Sequence, residues 1–459
     1  MSSAKSTARD MTSGSILGQI VLFSVPLMLG NVFQMLYNTV DSIVVGNFVS
    51  KQALAAVGST TTIVNIMVFF FNGFSVGAGV VIGHHFGAKE LEKLHTAIET
   101  TVAITFVLCA FFTVGGVLGV RPMLRFMSTP PDVFDDATTY LTIYFAGSAG
   151  LLIYNIGSGI LRAVGDSIRP LMFLSLTSIL NIILDLVFVI VFHLGIAGVG
   201  YATILAQFIS AILTLLLLTG TRDIYRLVWK DLRIDLATAG QIFAVGMPAG
   251  IQSMITSFSN VFVQSYINKF GSSVMAGWSC YNKLDQFIML PMHSMAHACT
   301  TFVSQNIGAR NERRAHRGTW TTIFFTISVT GVIAVCLFVF AAPATGLFTK
   351  DTSVIEYGVL FMRTNVFFML FNCVNHTLAG GLRGRGDARG PMVIMLSNFV
   401  VLRQVYLFVA THYFINTPRV VGFGYPVGWV ACCIVEVTYY MVRWGRKIPK
   451  ESPSGAQSS

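Results

Sequence analysis

Two acidic side chains sit where acids are expensive. Asp41 lies in the stretch "YNTVDSIVVG" (37–46) and Asp185 in "NIILDLVFVI" (181–190), and neither stretch contains a basic residue. An acid at membrane depth faces a protein interior or a wet cavity and is a functional candidate by default. Each one ends a polar stripe. Asn31, Gln34, Asn38 and Asp41 are spaced 3, 4 and 3, and Ser178, Asn181 and Asp185 are spaced 3 and 4, so each set shares one helix face. Asp41 follows Ile16 by about seven helical turns and Asp185 follows Pro170 by about four, which places both near the outer ends of their spans, within reach of one cavity. In a low-dielectric site a carboxyl holds its proton longer, and a second carboxyl beside it strengthens the effect. The chemistry expected of the pair is therefore reversible loading of H⁺ or a small cation. Pro26 interrupts the first stripe's helix, where it serves either packing or, as the sharper reading, a hinge.

Other candidates are weaker. His293 and His297 have the i, i+4 spacing that metal sites use, but no acid or cysteine joins them in sequence. They read as cavity lining, as does His376 with Asn372 and Asn375, and no metal site is expected. Lys283 and Asp285 read as a structural ion pair, Glu436 as a partner of Arg443 and Arg446, and His84 and His85 as exposed. The seven cysteines lie in apolar stretches without a CxxC spacing and read as small buried hydrophobes. "GGLRGRGD" (380–387) lacks the GxxxxGK[ST] spacing of a phosphate loop. It and its counterpart "GILRAVGD" (159–166) read as helix C-terminal turns, so direct ATP drive is unsupported.

The elements that hold these residues are membrane spans. Of 459 residues 54% are hydrophobic and 11% charged, against about 25% charged in soluble domains, which excludes a soluble protein. Apolar runs long enough to cross a bilayer recur at about 16–46, 53–85, 94–119, 133–163, 170–193, 196–220, 236–268, 274–307, 318–342, 354–383, 391–414 and 422–442. The first run has no early cleavage site and reads as a retained helix. A net charge of +10 invites a nucleic-acid partner, but its distribution argues for a membrane. The N-terminus, every second loop and the C-terminus carry 21 Lys/Arg and the opposite loops six, which predicts cytoplasmic termini.

The chain is one unit written twice. "FGAKELEKLHTA" (86–97) matches "IGARNERRAHRG" (307–318), and "LRAVGDSIRP" (161–170) matches "LRGRGDARGP" (382–391), both at an offset of 221. Pro26/Pro248 and Asn38/Asn260 stand 222 apart. Six spans per repeat predict an all-α fold of two six-helix bundles related by a pseudo-two-fold along the membrane normal, around a central site. The expected divisions are 1–220, a cytoplasmic linker at 221–235, 236–446, and a cytoplasmic tail at 447–459. The second repeat keeps a polar stripe at Ser253, Ser257, Asn260 and Gln264 but no acid on it.

The chain resembles the multidrug and toxic compound extrusion (MATE) family over nearly its whole length. The resemblance rests on "VPLMLGNVFQMLYNTVDSIVVG" (25–46), "ALAAVG" (53–58), "FGAKELEK" (86–93), "LRAVGD" (161–166) with Pro170, "NIILD" (181–185) and "IAGVGYAT" (196–203). It implies twelve helices in two bundles that export lipophilic, cationic organic compounds in exchange for H⁺ or Na⁺, without a cofactor or enzymatic activity. Asp41, Asn181 and Asp185 resemble the DNA-damage-inducible branch. The resemblance adds Asn155 and Thr203 to the cation-coupling set, marks Pro26 as the bending point of the first helix, and gives a substrate cavity at Gln34, Tyr37 and Asn38. The partners implied are small organic molecules and the lipid bilayer of the cell membrane, with no nucleic acid and a functional monomer. Alternatives are a flippase for lipid-linked substrates, which would need more Arg and Lys at depth, a channel, and a membrane enzyme built on His293 and His297.

Overall fold

The computed structural model describes residues 8–127 and 129–445; the expected tail at 447–459 and Arg446 lie outside the described residues. Every regular element among these residues is helical. Nine helices are long and apolar enough to cross a bilayer, and two bent pairs bring the number to eleven. The twelfth is α9 (Ser272–Gly308), which is 37 residues long but more polar.

The first repeat comprises α1 (Ile16–Phe48), α2 (Lys51–Ala88), α3 (Leu91–Phe126), the bent pair α4 (Pro131–Ala146) and α5 (Ser148–Ala163), α6 (Ile168–Leu186) and α7 (Gly195–Gly220). The second comprises α8 (Leu236–Asn268), α9, α10 (Glu312–Val339), the short α11 (Ala341–Gly346), and the bent pair α12 (Thr352–Asn365) and α13 (Met369–Gly384). It ends with α14 (Arg389–Leu396) and α15 (Arg403–Val409), joined by π-helical turns into one span, and α16 (Pro418–Gly422) leading into α17 (Gly424–Arg443). The bends are 46° between α4 and α5 and 55° between α12 and α13. Each of the twelve expected spans coincides with one helix or one broken helix.

The repeat is visible in the backbone as well as the sequence. Lys89 and Arg310, 221 apart, both take the left-handed conformation (φ 57°) just past a helix end. Gly165 and Gly386, also 221 apart, have φ 84° and 85°. Gly165 N donates to Arg162 O (2.9 Å) and Asp166 N to Leu161 O (2.9 Å), and Gly386 and Asp387 repeat the pattern on Arg383 and Leu382. Both glycine runs are thus helix C-terminal turns, as their sequence indicates. A π-helical turn follows Asp185's helix at Val187–Val191, with a counterpart at Ala410–Phe414.

The two bundles meet at one end. Midway along that contact α2 crosses α8 where Gly73 and Gly77 face Gly246 and Gly250, and only glycines permit so close an approach. At the end itself α2 meets α9, with Gly87 against the Gln305 carbonyl and Gly308 against the His84 carbonyl. The segment before α1 straps this end shut. Arg9 N donates to Val164 O (3.0 Å), Met11 N to Gln305 Oε1 (2.9 Å), and Gln305 Nε2 to Ala163 O (2.8 Å). His84, expected to be exposed, is instead half-buried in this joint, its Nε2 2.8 Å from Gly384 O. Hydrogen bonds across the bundles cluster here and reach mid-depth at Asn31 Nδ2 to Ser294 Oγ (3.2 Å).

Five cysteines are buried as expected. Cys336 is exposed and Cys433 half-buried, because an outer face against lipid tolerates a small apolar side chain as readily as the core does.

Candidate functional site

Asp41 on α1 and Asp185 on α6 are brought together, close enough for their carboxyls to act on each other directly. Asp185 is fully buried and Asn181, one turn below it, is 2% exposed. Among the described residues, no hydrogen-bond partner reaches Asp41 Oδ1, either Asp185 oxygen, or either polar atom of the Asn181 amide. Buried polar atoms are almost always satisfied, so a cluster of them without partners marks a candidate site. Two acceptors can touch only with something positive between them, since two carboxylates about 4 Å apart repel by roughly 4 kcal/mol at an effective dielectric constant near 20. The arrangement suits one proton, or one small cation that prefers oxygen ligands.

Phenols complete the surroundings. Tyr37 lies within electrostatic range of Asp41, Tyr144 and Tyr154, with Gln34 beside it on α1. Tyr140 interacts with both acids, and Tyr144 with Asp41 and with Gln207 on α7. Tyr140, Tyr144 and Gln207 were not singled out from the sequence. The i, i+4 phenols in "YLTIY" are the available signal, but in an amphipathic span they read as packing.

Other expected members stand apart. Asn155 Nδ2 donates to Leu151 O (2.8 Å) and Thr203 Oγ1 to Val199 O (2.9 Å), and no hydrogen bond joins either to the carboxyls. Asn38 is exposed and Gln34 half-buried on the α1 face that carries Asp41. Pro26 lies within an uninterrupted α1.

Three further expectations are corrected. Lys283 and Asp285 form no pair: Lys283 Nζ lies 5.3 Å from the centre of the Phe348 ring, while the Tyr281 hydroxyl donates to Asp285 (3.4 Å). Residues two apart on a helix do not face each other. Glu436 is fully buried, with the Cys432 thiol at 3.9 Å and Arg383 as its electrostatic partner. Arg443 pairs with Asp387 (3.4 Å) instead. Third, Arg162 and Arg383, counted by sequence with the inner loops, reach into the interface between the bundles. Arg162 Nη2 donates to Ser75 Oγ (3.2 Å) and Arg383 Nη2 to Gln252 Oε1 (3.1 Å). Where the first bundle has its acids, the second presents a base: Arg403, 3% exposed, donates to Ser259 Oγ (2.7 Å) and stacks 4.6 Å from the centre of the Tyr425 ring.

Two six-helix bundles built on a repeated unit, closed together at one end and holding a buried acid pair, define a multi-pass secondary transporter. The particular lineage follows from comparison with known proteins. The MatE family profile matches residues 26–187 and again 248–409, both limits shifted by 222, and the chain belongs to that family. It is 31% identical over 444 residues to the probable multidrug resistance protein YpnP of Bacillus subtilis, covering 96% of this chain and 97% of the relative. The probable multidrug resistance protein NorM of Thermotoga maritima is 26% identical, with 86% of each chain covered. Among solved structures, the outward-facing conformation of a multidrug resistance MATE family transporter of the MOP superfamily superposes with a TM-score of 0.90 at 22% identity, covering 97% of this chain and 99% of that one.

Proposed function

We propose that the protein is a secondary active exporter of lipophilic, cationic organic compounds, driven by antiport of H⁺ or Na⁺ and acting as a monomer in the cell membrane. It needs no cofactor and performs no covalent chemistry. The observation that carries this reading is the closeness of Asp41 and Asp185 beside Asn181, with buried oxygens that no donor among the described residues reaches. An ion entering from outside binds there, neutralises the pair, and relieves its repulsion. The repacked α1, flexing at Pro26, then no longer favours a cationic substrate in the cavity along Gln34, Tyr37 and Asn38. Asn181 supplies a neutral oxygen to the ion. Asn155 and Thr203 join by rotating away from the backbone carbonyls they now hold. Both residues lie on helices adjoining the site, α5 and α7.

The charge bias of the loops makes the closed end cytoplasmic, with both termini on that side, so the described state opens outward. Residues 1–220 and 236–446 form the two moving units and 221–235 tether them. The tether is firmly seated, with Tyr225 fully buried and receiving a hydrogen bond from Arg169 (2.6 Å). The set of acids fits the DNA-damage-inducible branch.

Ethidium export from proteoliposomes, with an imposed pH gradient or an imposed Na⁺ gradient in turn, tests the reading. One gradient drives export in the wild type, and Asp41→Asn and Asp185→Asn each lower the driven rate at least about tenfold. Full driven export by both variants would refute the assignment.

A further inference from the structure

The acid pair leaves a second cluster unexplained. His293 and His297 lie roughly 31 Å and 37 Å along α9 from its start, yet both are exposed. α9 packs against α1 and α2 of the first bundle, so exposed imidazoles at that depth suit a wall of the cleft between the bundles. The His293 ring meets the His376 ring edge to face at 5.0 Å. Arg383 is within electrostatic range of all three imidazoles, and Arg162 of His297. His297 and Arg162 share a cavity of about 20 Å³ with Ser75, Thr300 and Thr301, room for little more than one water at the closed end.

The charges at this cluster do not balance. Among the described residues the two guanidiniums face one carboxylate: Glu436 opposes Arg383, while Arg162 has the Tyr154 phenol and the Ser75 hydroxyl. Arg383 Nε has no hydrogen-bond partner. An unmatched cation at depth calls for an anion, and a guanidinium beside imidazoles is suited to a planar oxyanion. The shortage of basic residues at depth, which counted against anionic substrates on sequence alone, is therefore removed by Arg162 and Arg383.

We propose that the central cavity carries an anion subsite, formed by His293, His297, His376, Arg383 and Arg162, that binds the carboxylate, sulfonate or phosphate of an amphipathic molecule. The apolar body of that molecule rests in the space between the bundles. The transporter then handles zwitterionic or anionic amphipaths as well as cations, with the acid pair in one bundle and the basic cluster in the other. This rests on the cavity being the transport path.

The test is fluorescence polarisation of purified full-length protein in neutral detergent, with fluorescein as anionic probe and ethidium as cationic probe. The wild type binds both. Arg383→Gln lowers the ratio of fluorescein to ethidium affinity at least about tenfold, and Arg383→Lys, which keeps the charge, lowers it less. A ratio within about twofold of wild type in Arg383→Gln, or no fluorescein binding by the wild type, overturns the subsite. Should Arg383→Gln not yield folded protein, His376→Gln tests the same site, and a fall of less than about threefold counts against it. Added phosphatidylglycerol separates two sources of the anion. Displacement of fluorescein assigns the site to a lipid headgroup, an inert lipid assigns it to a soluble organic anion, and either result upholds the site. Ethidium export under an ion gradient is read separately, so a failure of the anion subsite leaves the cation reading standing.

Discussion

The closed end depends on two glycines, and replacing them should reset the balance between the transporter's states. A β-carbon on Gly87 would lie 1.9 Å from Gln305 O, and one on Gly308 would lie 1.9 Å from His84 O. A carbon and a carbonyl oxygen settle at about 3.3 Å, so the crossing of α2 and α9 must widen by roughly 1.4 Å at either point. Both obstacles are backbone, and no rotamer change relieves them. Overpacking of this kind costs about 1–3 kcal/mol. The cost falls only on the state in which these helices cross, so it acts as a bias between conformations, and the closed-end population falls about 5- to 150-fold relative to its alternative. Spin labels at exposed Asn47 and Asn268, on the far ends of α1 and α8, read this out as a shift toward shorter distances when the far ends close. Because widening for one methyl also relieves the other, Gly87→Ala with Gly308→Ala should shift the population by less than the two single effects combined. Unchanged distance distributions in folded single variants, or a fall in thermal stability with no change in distances, would refute the reasoning.

Two further perturbations probe the hinge and the strap. Pro26→Ala restores a donor for the Leu22 carbonyl and removes a ring clash, so thermal stability should hold or rise while ion-driven ethidium export falls several-fold; undiminished export would leave Pro26 a packing residue. Gly386→Ala should cost about 1–2 kcal/mol, because its φ of 85° is left-handed but its β-carbon has open space, with only a side-chain atom at 4.0 Å. Gly165→Ala adds a clash with the Arg9 carbonyl and unseats the strap, so its loss of thermal stability should exceed that of Gly386→Ala; equal losses would mean that the strap is not held there in solution.

The parts legible in the sequence are those governed by period. A bilayer asks for about 20 apolar residues, and that constraint marks eleven of the spans, broken ones included, while α9 is more polar. A helix repeats every 3.6 residues, so the spacing of Asn38, Asp41, Asn181 and Asp185 already aims them to one side. The constant offset of 221 or 222 fixes the bundle relationship. Hidden from the sequence was what depends on contact between distant segments. Gly87 and Gly308 look like ordinary helix-end glycines until α2 and α9 cross. Arg162 and Arg383 sit in the last turn of their helices, where a guanidinium reads as one that snorkels to the surface. That they turn inward follows from Ser75 and Gln252 on other helices, which no local pattern reports. Tyr140 and Tyr144 escaped for the same reason, since a phenol buried by packing and one facing a carboxyl have the same period.

The symmetry of the scaffold sharpens the meaning of its asymmetric equipment. The positions matching Asp41 and Asp185 in the second repeat are Val263 and Tyr406, at offsets of 222 and 221. Val263 is fully buried in apolar packing and the Tyr406 hydroxyl is used on Val420 O (3.2 Å). The acid pair is therefore not duplicated at the matching positions, and on the proposed reading the ion's energy enters the cycle through α1 and α6. The second bundle instead places Arg403 near the corresponding depth, with Arg383 and the histidines lower down. Since a ligand shifts an equilibrium only by its differential affinity for the two states, the coupling ion must change the fit of the first bundle against the second rather than deform both. The joint of α2 with α8 and α9 is the surface where that change in fit has to be expressed, and it is the surface where glycines leave no slack.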